Sequence, residues 1–321
     1  MTLKKIALLT SGGDAPGMNA AIRSVVRTAI YNGLEVMGVY NGYQGLIDGE
    51  FAPMNLSSVG GILLHGGTIL RTARCEEFKT DAGVQKALAQ LRKNSVDGLI
   101  VIGGDGSFHG AKKLFDKGFA VNGVPATIDN DMGGTALTIG FDTACNTALN
   151  CISRLRDTAS SHDRLFIVEV MGRDAGYIAL ETGVACGAEY VVIPETPLDI
   201  NHIAQKLQNA RKRNKSHSLI ITAEGACSAQ KLAESLKGQC DYDPRIVVLG
   251  HLLRGGAPTC KDAVLAAQFG LVAVEELLAG NYGVMVGQCE SDIKTSPLEK
   301  AWEKSHTIDE KMMRLLSVLS I

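Results

Sequence analysis

The chain lacks the features that mark several classes of protein. Its 321 residues include only 8 prolines and one tryptophan, and the formal net charge at pH 7 is −2. A net charge so near zero argues against nucleic acid or an anionic membrane surface as the main partner, because proteins that bind either one usually carry a strong excess of Lys and Arg. No stretch approaches the roughly 20 apolar residues that a membrane span requires. The apolar run Ile6–Leu9 is too short for the core of a signal peptide.

Cysteine pairing motifs are also missing. The 8 cysteines are scattered along the chain, and none form a Cys-x-x-Cys pair. In a chain of this length they are typical of reduced thiols in a cytoplasmic protein, and not of a disulfide framework or a zinc site. Glycine is frequent, with 36 residues. Many glycines with few prolines favour tight turns between strands and helices over disorder.

Short apolar runs alternate with segments of helical periodicity. Runs that are apolar throughout are typical of strands buried in a parallel sheet. The predicted strands are Ile6–Thr10, Glu35–Tyr40, Gly98–Ile102, Ala120–Val124, Leu165–Val170, Tyr190–Ile193, Ser218–Ala223 and Arg245–Leu249. This alternation predicts an α/β fold with right-handed crossovers. The length predicts two lobes, and we place their boundary near residue 140.

The clearest helical pattern begins at Pro16. Its apolar face is formed by Ile22, Val25, Val26 and Ile30. The positions Asn19, Arg23 and Arg27 recur every four residues. That spacing predicts a polar stripe directed away from the apolar face.

Glycine-rich turns follow two of the predicted strands. Ser11-Gly12-Gly13-Asp14 comes after the first strand, and Gly103-Gly104-Asp105-Gly106-Ser107 comes after the third. Backbone N–H groups and the helix start behind each turn suit the binding of phosphate. Asp105 adds an oxygen ligand of the kind that Mg²⁺ prefers. A plain tight turn and an aspartate that caps the next helix stay open as alternatives.

Other strand ends carry acidic or basic side chains. The segment 125–131 contains Asp129 and Asp131, which point the same way if the chain is extended. Such a pair suits proton removal by one carboxylate and orientation or metal support by the other, although surface turns are also rich in aspartate. Arg173, His251 and Arg254 follow later strands and are residue types that bind phosphate.

Together these segments resemble the bacterial ATP-dependent 6-phosphofructokinase family along nearly the whole chain. The motifs are Thr-Ser-Gly-Gly-Asp-Ala-Pro-Gly-Met-Asn, Gly-Gly-Asp-Gly-Ser, Thr-Ile-Asp-Asn-Asp, Met-Gly-Arg and Gly-His-x-x-Arg-Gly-Gly, in this order. The resemblance implies two Rossmann-like three-layer α/β/α lobes with mostly parallel sheets and an active site in the cleft between them. The larger, ATP-binding lobe would be residues 1–140 plus about 253–303. The smaller lobe, for fructose 6-phosphate, would be 141–252 plus about 304–321.

The resemblance also implies a reaction and a set of site residues. ATP would phosphorylate the 1-hydroxyl of fructose 6-phosphate in glycolysis, with Mg²⁺ as the cofactor. Asp129 would be the general base, and Thr127, Arg173, Gly13 and Arg74 would complete the catalytic set. The ATP side would be formed by Gly13, Arg74, Cys75, Gly104, Asp105, Gly106 and Ser107, with Asp105 on the metal. The sugar phosphate would contact Thr127, Ile128, Asp129, Asp131, Arg164, Met171, Gly172, Arg173, Glu224, Arg245, His251 and Arg254.

Two further features follow from the resemblance. Arg164 and Arg245 match residues that reach into a neighbouring subunit's site, which implies a homotetramer. An effector site between subunits would be formed by Arg23, Arg27, Arg156, Gly187, Glu189, Arg213, Lys215 and His217. ADP or GDP would activate there, and phosphoenolpyruvate would inhibit. The chain departs from the family pattern at Leu56, where some members have an effector-binding arginine, and at Leu253, where glutamine is frequent.

Three alternatives are less well supported. A pyrophosphate-dependent relative would have Asp at the position of Gly106 and Lys at that of Ala126, and both positions are small here. A dehydrogenase of the Rossmann type would have a Gly-x-Gly-x-x-Gly turn and an acidic residue after the second strand, and neither is present. A non-catalytic nucleotide-binding subunit would be expected to lose Asp105 or Asp129, and both are retained.

Overall fold

The computed structural model of the chain describes residues 3–159, 164–213, 217–239, 244–303 and 308–320. The strands are β1 (Lys5–Ser11), β2 (Glu35–Val39), β3 (Phe51–Met54), β4 (Gly98–Gly103), β5 (Ala120–Thr127), β6 (Ile139–Gly140), β7 (Leu165–Val170), β8 (Tyr190–Val192), β9 (Ser218–Ala223), β10 (Pro244–Val248), β11 (Val284–Cys289) and β12 (Asp292–Pro297). The helices are α1 (Met18–Tyr31), α2 (Gly42–Asp48), α3 (Asp81–Lys93), α4 (Asp105–Asp116), α5 (Phe141–Ala159), α6 (Tyr177–Cys186), α7 (Ile200–Lys212), α8 (Ala229–Leu236), α9 (Cys260–Ala279) and α10 (Glu310–Leu319). Short 3₁₀ helices cover Glu77–Lys79, Gly250–Arg254 and Leu298–Trp302.

The chain divides into two compact units. The first contains residues 1–142 and 254–306, and the second contains residues 143–253 and 307–321. Each unit alternates strands with helices around its own sheet, so the predicted α/β class is confirmed. Which ligand each unit binds stays a prediction.

The sheet of the first unit runs in the order β12-β11-β5-β4-β1-β2-β3, with β6 beside β5. The five central strands are mutually parallel, and β3 and β12 at the two edges are antiparallel to their neighbours. Strands β1 and β4 are buried along almost their whole length. The parallel strands all point the same way, so their carboxyl ends lie together along one side of the sheet, which we call its carboxyl edge. The loops that follow β1, β4 and β5 are therefore neighbours.

The sheet of the second unit has the order β10-β7-β9-β8 and is entirely parallel. Its core includes Ile167 and Ile220 from the sheet, with Leu207 of α7 and Leu232 of α8 packed against them. Residues at the carboxyl and amino ends of β7 lie at opposite ends of the parallel strands, about 17 Å apart for a strand of six residues.

The predicted strands are confirmed to within one residue at either end, except that β5 continues three residues further, to Thr127. The pattern missed β3, β6, β11 and β12. β3 is a four-residue edge strand that contains Pro53, and β12 is half-exposed and polar, so neither has the apolar run of a buried strand.

The polar stripe predicted for α1 is wrong at its first member. Arg23 is half-buried and Arg27 is exposed, but only 1% of Asn19 is accessible. The apolar face itself is confirmed at Ile22, Val25 and Val26, which are fully buried. Asn19 is buried because a long loop covers the first turn of α1, and periodicity within the helix carries no information about that loop.

None of the helices in the described ranges is both long enough and apolar enough to cross a lipid bilayer.

Candidate active site

Three loops meet at the carboxyl edge of the first unit's sheet. A Cβ placed on Gly103, at the end of β4, would lie 2.4 Å from the Ser11 carbonyl oxygen. A Cβ on Gly104 would lie 3.7 Å from the Cβ of Thr127. The turn after β1, the Gly-Gly-Asp-Gly-Ser turn after β4 and the loop after β5 therefore form one surface. Asp105 follows Gly104 directly, and Asp129 lies two residues beyond Thr127.

Arg254 brings a cation to the first of these turns. A Cβ on Gly13 would approach the Nη1 atom of Arg254 to 2.6 Å, so the guanidinium lies directly against the Gly13 backbone. Among the described residues, the Nε atom of Arg254 is buried and has no hydrogen-bond partner. A buried guanidinium N–H without a partner is costly unless an anion binds it. The turn after β1 therefore combines backbone N–H groups with the Arg254 Nε–H, a cationic donor that is available to an anionic ligand.

The Gly-Gly-Asp-Gly-Ser turn opens α4. Gly104 is the residue before the helix, and the Ser107 and Phe108 N–H groups bond back to its carbonyl. Asp105 is half-buried in the first turn, and a Cβ at Gly106 would meet no atom of the described residues within 4 Å. The helix N-terminus and the open space above Gly106 suit an anionic ligand.

A metal ion would be held here by few protein groups. Within the described ranges, no three His, Cys, Asp or Glu side chains form a cluster that could hold a metal. Mg²⁺ is usually bound by one or two carboxylates together with waters and substrate phosphates. Asp105, half-buried and flanked by two glycines at the mouth of an anion site, fits that pattern. Asp129 and Asp131 lie in the loop that follows the neighbouring strand β5.

The loop after β5 is a turn and not an extended segment. Asn130 has φ of 52° in the left-handed region, so the premise that Asp129 and Asp131 share one extended face is wrong. The Asn130 side chain accepts from the Thr138 N–H at 2.9 Å and donates to the Ala136 carbonyl at 3.2 Å. These contacts hold the loop closed on itself. They leave Asp131 half-exposed.

Asp129 is buried, with only 2% of it exposed. The Thr127 hydroxyl donates to the Oδ2 atom of Asp129 at 3.3 Å and accepts from the Asp129 backbone N–H at the same distance. Ile128 between them is also buried. The hydroxyl therefore orients a carboxylate that has little access to solvent.

Arg74 and Cys75 lie on the chain that leads from β3 towards α3. Arg74 is exposed, and Cys75 is half-buried and packs on the core of the first unit. Tyr43 of α2 stacks on Phe78, just beyond them, with ring centroids 4.1 Å apart. Its hydroxyl donates to the Ser107 carbonyl at 2.5 Å, and burial raises the pKa of Tyr43 well above its usual value, so it stays a donor.

The second unit presents its candidates at the carboxyl ends of β7 and β9. Met171 and Gly172 are buried, and Arg173 is exposed with φ of 50°. The Glu224 Oε1 atom accepts from the N–H groups of Gly172 at 3.3 Å and Arg173 at 3.2 Å, which ties the two strand ends together. His251 is exposed on the 3₁₀ helix Gly250–Arg254.

Arg164 and Arg245 lie at the other edge of that sheet. Arg164 immediately precedes β7, and Arg245 is the second residue of β10, paired in register with Phe166. Met171 and Glu224 follow the opposite ends of β7 and β9. The sheet therefore keeps the two arginines away from the other sugar-phosphate candidates of the second unit.

Three of the effector candidates are neighbours in the second unit. The Arg156 Nη1 atom donates to the Cys186 carbonyl, and a Cβ on Gly187 would lie 3.6 Å from that nitrogen. Glu189 is 4% exposed, and its Oε2 accepts from the Leu219 N–H. Arg213 is exposed at the end of α7, and His217 is half-buried before β9. Arg23 and Arg27 lie on α1 of the first unit, and Lys215 falls outside the described residues.

The sequence patterns missed several residues that shape the site. Asn130 and Asn19 make their hydrogen bonds to loop backbone, and Tyr43 bonds to the Ser107 carbonyl of α4; the partners of Tyr43 and Asn19 are 46 to 64 residues away. A signal for Asn19 was its place between apolar residues in a first helical turn. Leu253, a departure from the family pattern, is fully buried. A hollow of about 470 Å³ lined by Leu3, Val96 and Phe119 lies at the amino edge of the first sheet, away from these loops.

Comparison with known proteins gives one family. The profile described as "Phosphofructokinase" matches residues 5–277. "ATP-dependent 6-phosphofructokinase" of Oceanobacillus iheyensis is 52% identical over 319 residues, which are 99% of this chain and 100% of that protein. The protein of the same name from Halalkalibacterium halodurans has the same identity and coverage. Phosphofructokinase from Saccharomyces cerevisiae superposes with a TM-score of 0.88 at 34% identity, over 99% of this chain and 48% of that longer chain.

Proposed function

Because the chain belongs to the phosphofructokinase family and is an ATP-dependent kinase, we propose that it phosphorylates the 1-hydroxyl of fructose 6-phosphate. The products are fructose 1,6-bisphosphate and ADP, and the reaction is a step of glycolysis. The observation that carries the proposal is the meeting of the glycine turns after β1 and β4 with the Asp129 loop after β5. Donor phosphates and a reacting hydroxyl need such adjacent sites, because phosphoryl transfer depends chiefly on positioning and charge neutralisation.

Asp129 is the proposed general base. The sugar oxygen attacks the γ-phosphorus, the bond from that phosphorus to the bridging oxygen breaks, and the hydroxyl proton passes to Asp129. The Thr127 hydroxyl orients this carboxylate. Arg254 beside Gly13, with Arg74 and Arg173, supplies positive charge to the phosphates. Mg²⁺ held by Asp105 would neutralise charge on the donor phosphates.

ATP is the proposed donor rather than pyrophosphate. The space above Gly106 is open, and Ala126 is small and buried, so neither position carries the larger polar side chain of the pyrophosphate-dependent relatives. A donor assay with ATP and pyrophosphate tests this choice. Turnover with pyrophosphate and none with ATP would reverse it.

The proposal includes a site shared between subunits of a homotetramer. Arg164 and Arg245 lie at the sheet edge opposite to Met171 and Glu224, so they are poorly placed to serve the same sugar phosphate within one chain. A neighbouring subunit that receives these arginines accounts for both positions. The scattered cysteines favour the cytoplasm as the compartment of this assembly.

We also propose an effector site for ADP or GDP as activators and phosphoenolpyruvate as inhibitor. The adjacency of Arg156, Gly187 and Glu189 supports it, together with the exposed Arg27 and Arg213. Leu56 is half-exposed where some relatives have arginine, which removes one charge from the site. We expect added ADP and phosphoenolpyruvate to shift the fructose 6-phosphate saturation curve in opposite directions. An unchanged curve with both compounds would refute the effector site.

Replacement of Asp129 by Asn tests the reaction itself. We expect Asp129→Asn to lower kcat by about 10²- to 10⁴-fold, because the amide cannot accept the proton. The matched control is Asp116→Asn, an exposed carboxylate at the end of α4, which we expect to keep normal turnover. A folded Asp129→Asn enzyme with near-normal kcat would remove Asp129 from the role of base.

A further inference from the structure

Asn19 makes an unusual set of contacts for a residue in a first helical turn. Its amide does not cap α1, which is preceded by Gly17 without a side-chain cap. Instead its Nδ2 donates to the carbonyl oxygens of His65 at 3.0 Å and Gly66 at 3.2 Å. Its Oδ1 accepts from the Ile69 N–H at 2.8 Å. One buried side chain thus satisfies three backbone groups of a distant loop.

That loop has no regular structure of its own. Residues 55–76, between β3 and the 3₁₀ helix Glu77–Lys79, form no helix or strand. Irregular segments of this length are uncommon inside a compact unit and are usually functional. We call residues 65–75 the donor loop, because they include Arg74 and Cys75, which are proposed to bind ATP, the phosphoryl donor.

Contacts from β1 and from the start of α2 also hold the backbone of the donor loop. The Thr10 hydroxyl donates to the Arg71 carbonyl at 2.8 Å, and the Asn41 N–H donates to the Leu70 carbonyl at 2.9 Å. Arg71 lies three residues before Arg74, a span of at most about 10 Å. The anchored backbone therefore limits where Arg74 and Cys75 can lie.

Loss of the Asn19 amide would act on the loop first. The carbonyls of His65 and Gly66 and the Ile69 N–H would lose the partner that ties them to α1. Because His65 and Gly66 are exposed, water would replace that partner, so the loop would lose its anchor and shift, and Arg74 would move with it. Helix α1 keeps its apolar face and its contact with α9 through the Ser24 hydroxyl and the Ala267 carbonyl.

We propose that Asn19 is a positioning residue for the phosphoryl donor, which holds the donor loop and so places Arg74 and Cys75. The proposal rests on the function given above, in which these two residues bind ATP. Seven of the twelve sugar-phosphate candidates belong to the second unit, and within the described part of the chain Asn19 has no hydrogen bond to any of the twelve. Its effect is therefore specific to the donor.

Steady-state kinetics of Asn19→Ala test this role. We expect kcat/KM for ATP to fall about 10- to 100-fold, because a displacement of about 1 Å has such an effect on reacting groups. We expect KM for fructose 6-phosphate to stay within about twofold. The matched control is Asn32→Ala. Asn32 follows the same helix, and the one bond of its side-chain amide among the described residues is to the Thr28 carbonyl of α1, so both constants should stay unchanged.

Thiol labelling gives a readout that does not depend on turnover. Cys75 is half-buried, whereas Cys260 and Cys289 are exposed and serve as internal references. We expect Asn19→Ala to speed labelling of Cys75 by about fivefold or more, because the loop opens locally, and to leave the two references unchanged. In the unmodified enzyme, ATP should slow the labelling of Cys75.

The near-isosteric Asn19→Asp variant separates hydrogen bonding from space filling. It keeps the volume but loses the two N–H donors, so we expect it to impair ATP use as much as Asn19→Ala. If Asn19→Ala does not fold, Asn19→Ser leaves a hydroxyl for one carbonyl and should show the same selectivity with a smaller change. Folded variants with normal kcat/KM for ATP and normal Cys75 labelling would overturn the role of Asn19. Lack of ATP turnover in the unmodified enzyme would instead overturn the proposed function.

Discussion

Gly13 packs its backbone against the guanidinium of Arg254, and a side chain at this position would displace that guanidinium. A Cβ there would lie 2.6 Å from Nη1 and 3.0 Å from Cζ. Gly12 next to it has φ of 86°, which favours glycine for its backbone alone. The two glycines are thus needed for different reasons. Gly12 gives the turn its backbone conformation, and Gly13 lets the Arg254 guanidinium approach the turn.

We predict that Gly13→Ala leaves the fold intact and damages catalysis. The atoms that clash are the far end of a flexible side chain, so Arg254 can move aside at little cost to stability. We expect kcat/KM to fall about 10- to 100-fold, with the melting temperature lowered by no more than about 3 °C. Kinetics and thermal unfolding measure the two quantities.

A double-mutant cycle with Arg254→Ala gives the control. If Gly13→Ala acts by displacing Arg254, it should add little to the loss already caused by Arg254→Ala. Fully additive losses in kcat/KM would show that Gly13 acts in another way.

At the scale of elements, α4 joins the core to the proposed nucleotide turn. Phe108 is fully buried, and its ring fills the space that a Cβ on Gly123 of β5 would occupy, 2.6 Å away. Gly110 on the same helix admits the ring of Tyr43, whose hydroxyl reaches the Ser107 carbonyl. The helix that begins at Asp105 is therefore fixed at its first two turns by both the sheet and α2.

We predict that Tyr43→Phe lowers the free energy of unfolding by about 0.5–1.5 kcal/mol, because the bond from its hydroxyl to the Ser107 carbonyl is lost while that carbonyl keeps its donor within α4. Urea denaturation measures the change. The control is Tyr31→Phe, since Tyr31 is 90% exposed and its hydroxyl loses no buried partner. A Tyr43→Phe protein as stable as the control would show that solvent replaces the lost bond.

The strand-to-helix units were predictable because each is a local pattern. Buried runs such as Gly98–Gly103 are apolar at nearly every position, and glycines follow them directly. The antiparallel pair β11–β12 was not predictable, because the edge strand β12 is polar and partly exposed, and the buried part of β11 is only the three residues 285–287. Its place beside β5 is set by pairing across more than 150 residues.

At the scale of the whole molecule, the chain passes between its two units more than once. The first unit is completed by residues 254–306, which supply α9, β11 and β12. Helix α9 packs on α1, and β11 extends the sheet beyond β5. Neither unit is a continuous stretch of sequence.

We predict that inactive variants complement each other. Asp129→Asn and Arg245→Ala subunits should each be nearly inactive alone. When they are unfolded together and refolded, about a quarter of the sites should combine an intact Asp129 with an intact Arg245 from the neighbouring subunit. Activity of the mixture should therefore exceed that of either variant.

The control is the same mixing of Asp129→Asn subunits with Arg92→Ala subunits. Arg92 is an exposed residue of α3 outside the proposed site, so activity should match the share of Asp129-intact chains. No recovery in the Asp129→Asn and Arg245→Ala mixture would mean that Arg245 serves its own chain's site.

The sequence by itself determined the α/β class, the strand-end turns and the motifs that identify the family, because apolar runs, glycines and carboxylates are local properties of the chain. Only the tertiary structure decided that Asn19 is buried under the donor loop, that Arg254 lies against Gly13, and that Arg164 and Arg245 lie at the edge opposite to Met171. Those facts depend on which distant segments pack together. Packing of that kind is set by the burial and hydrogen-bond needs of both partners, which neither segment reveals alone.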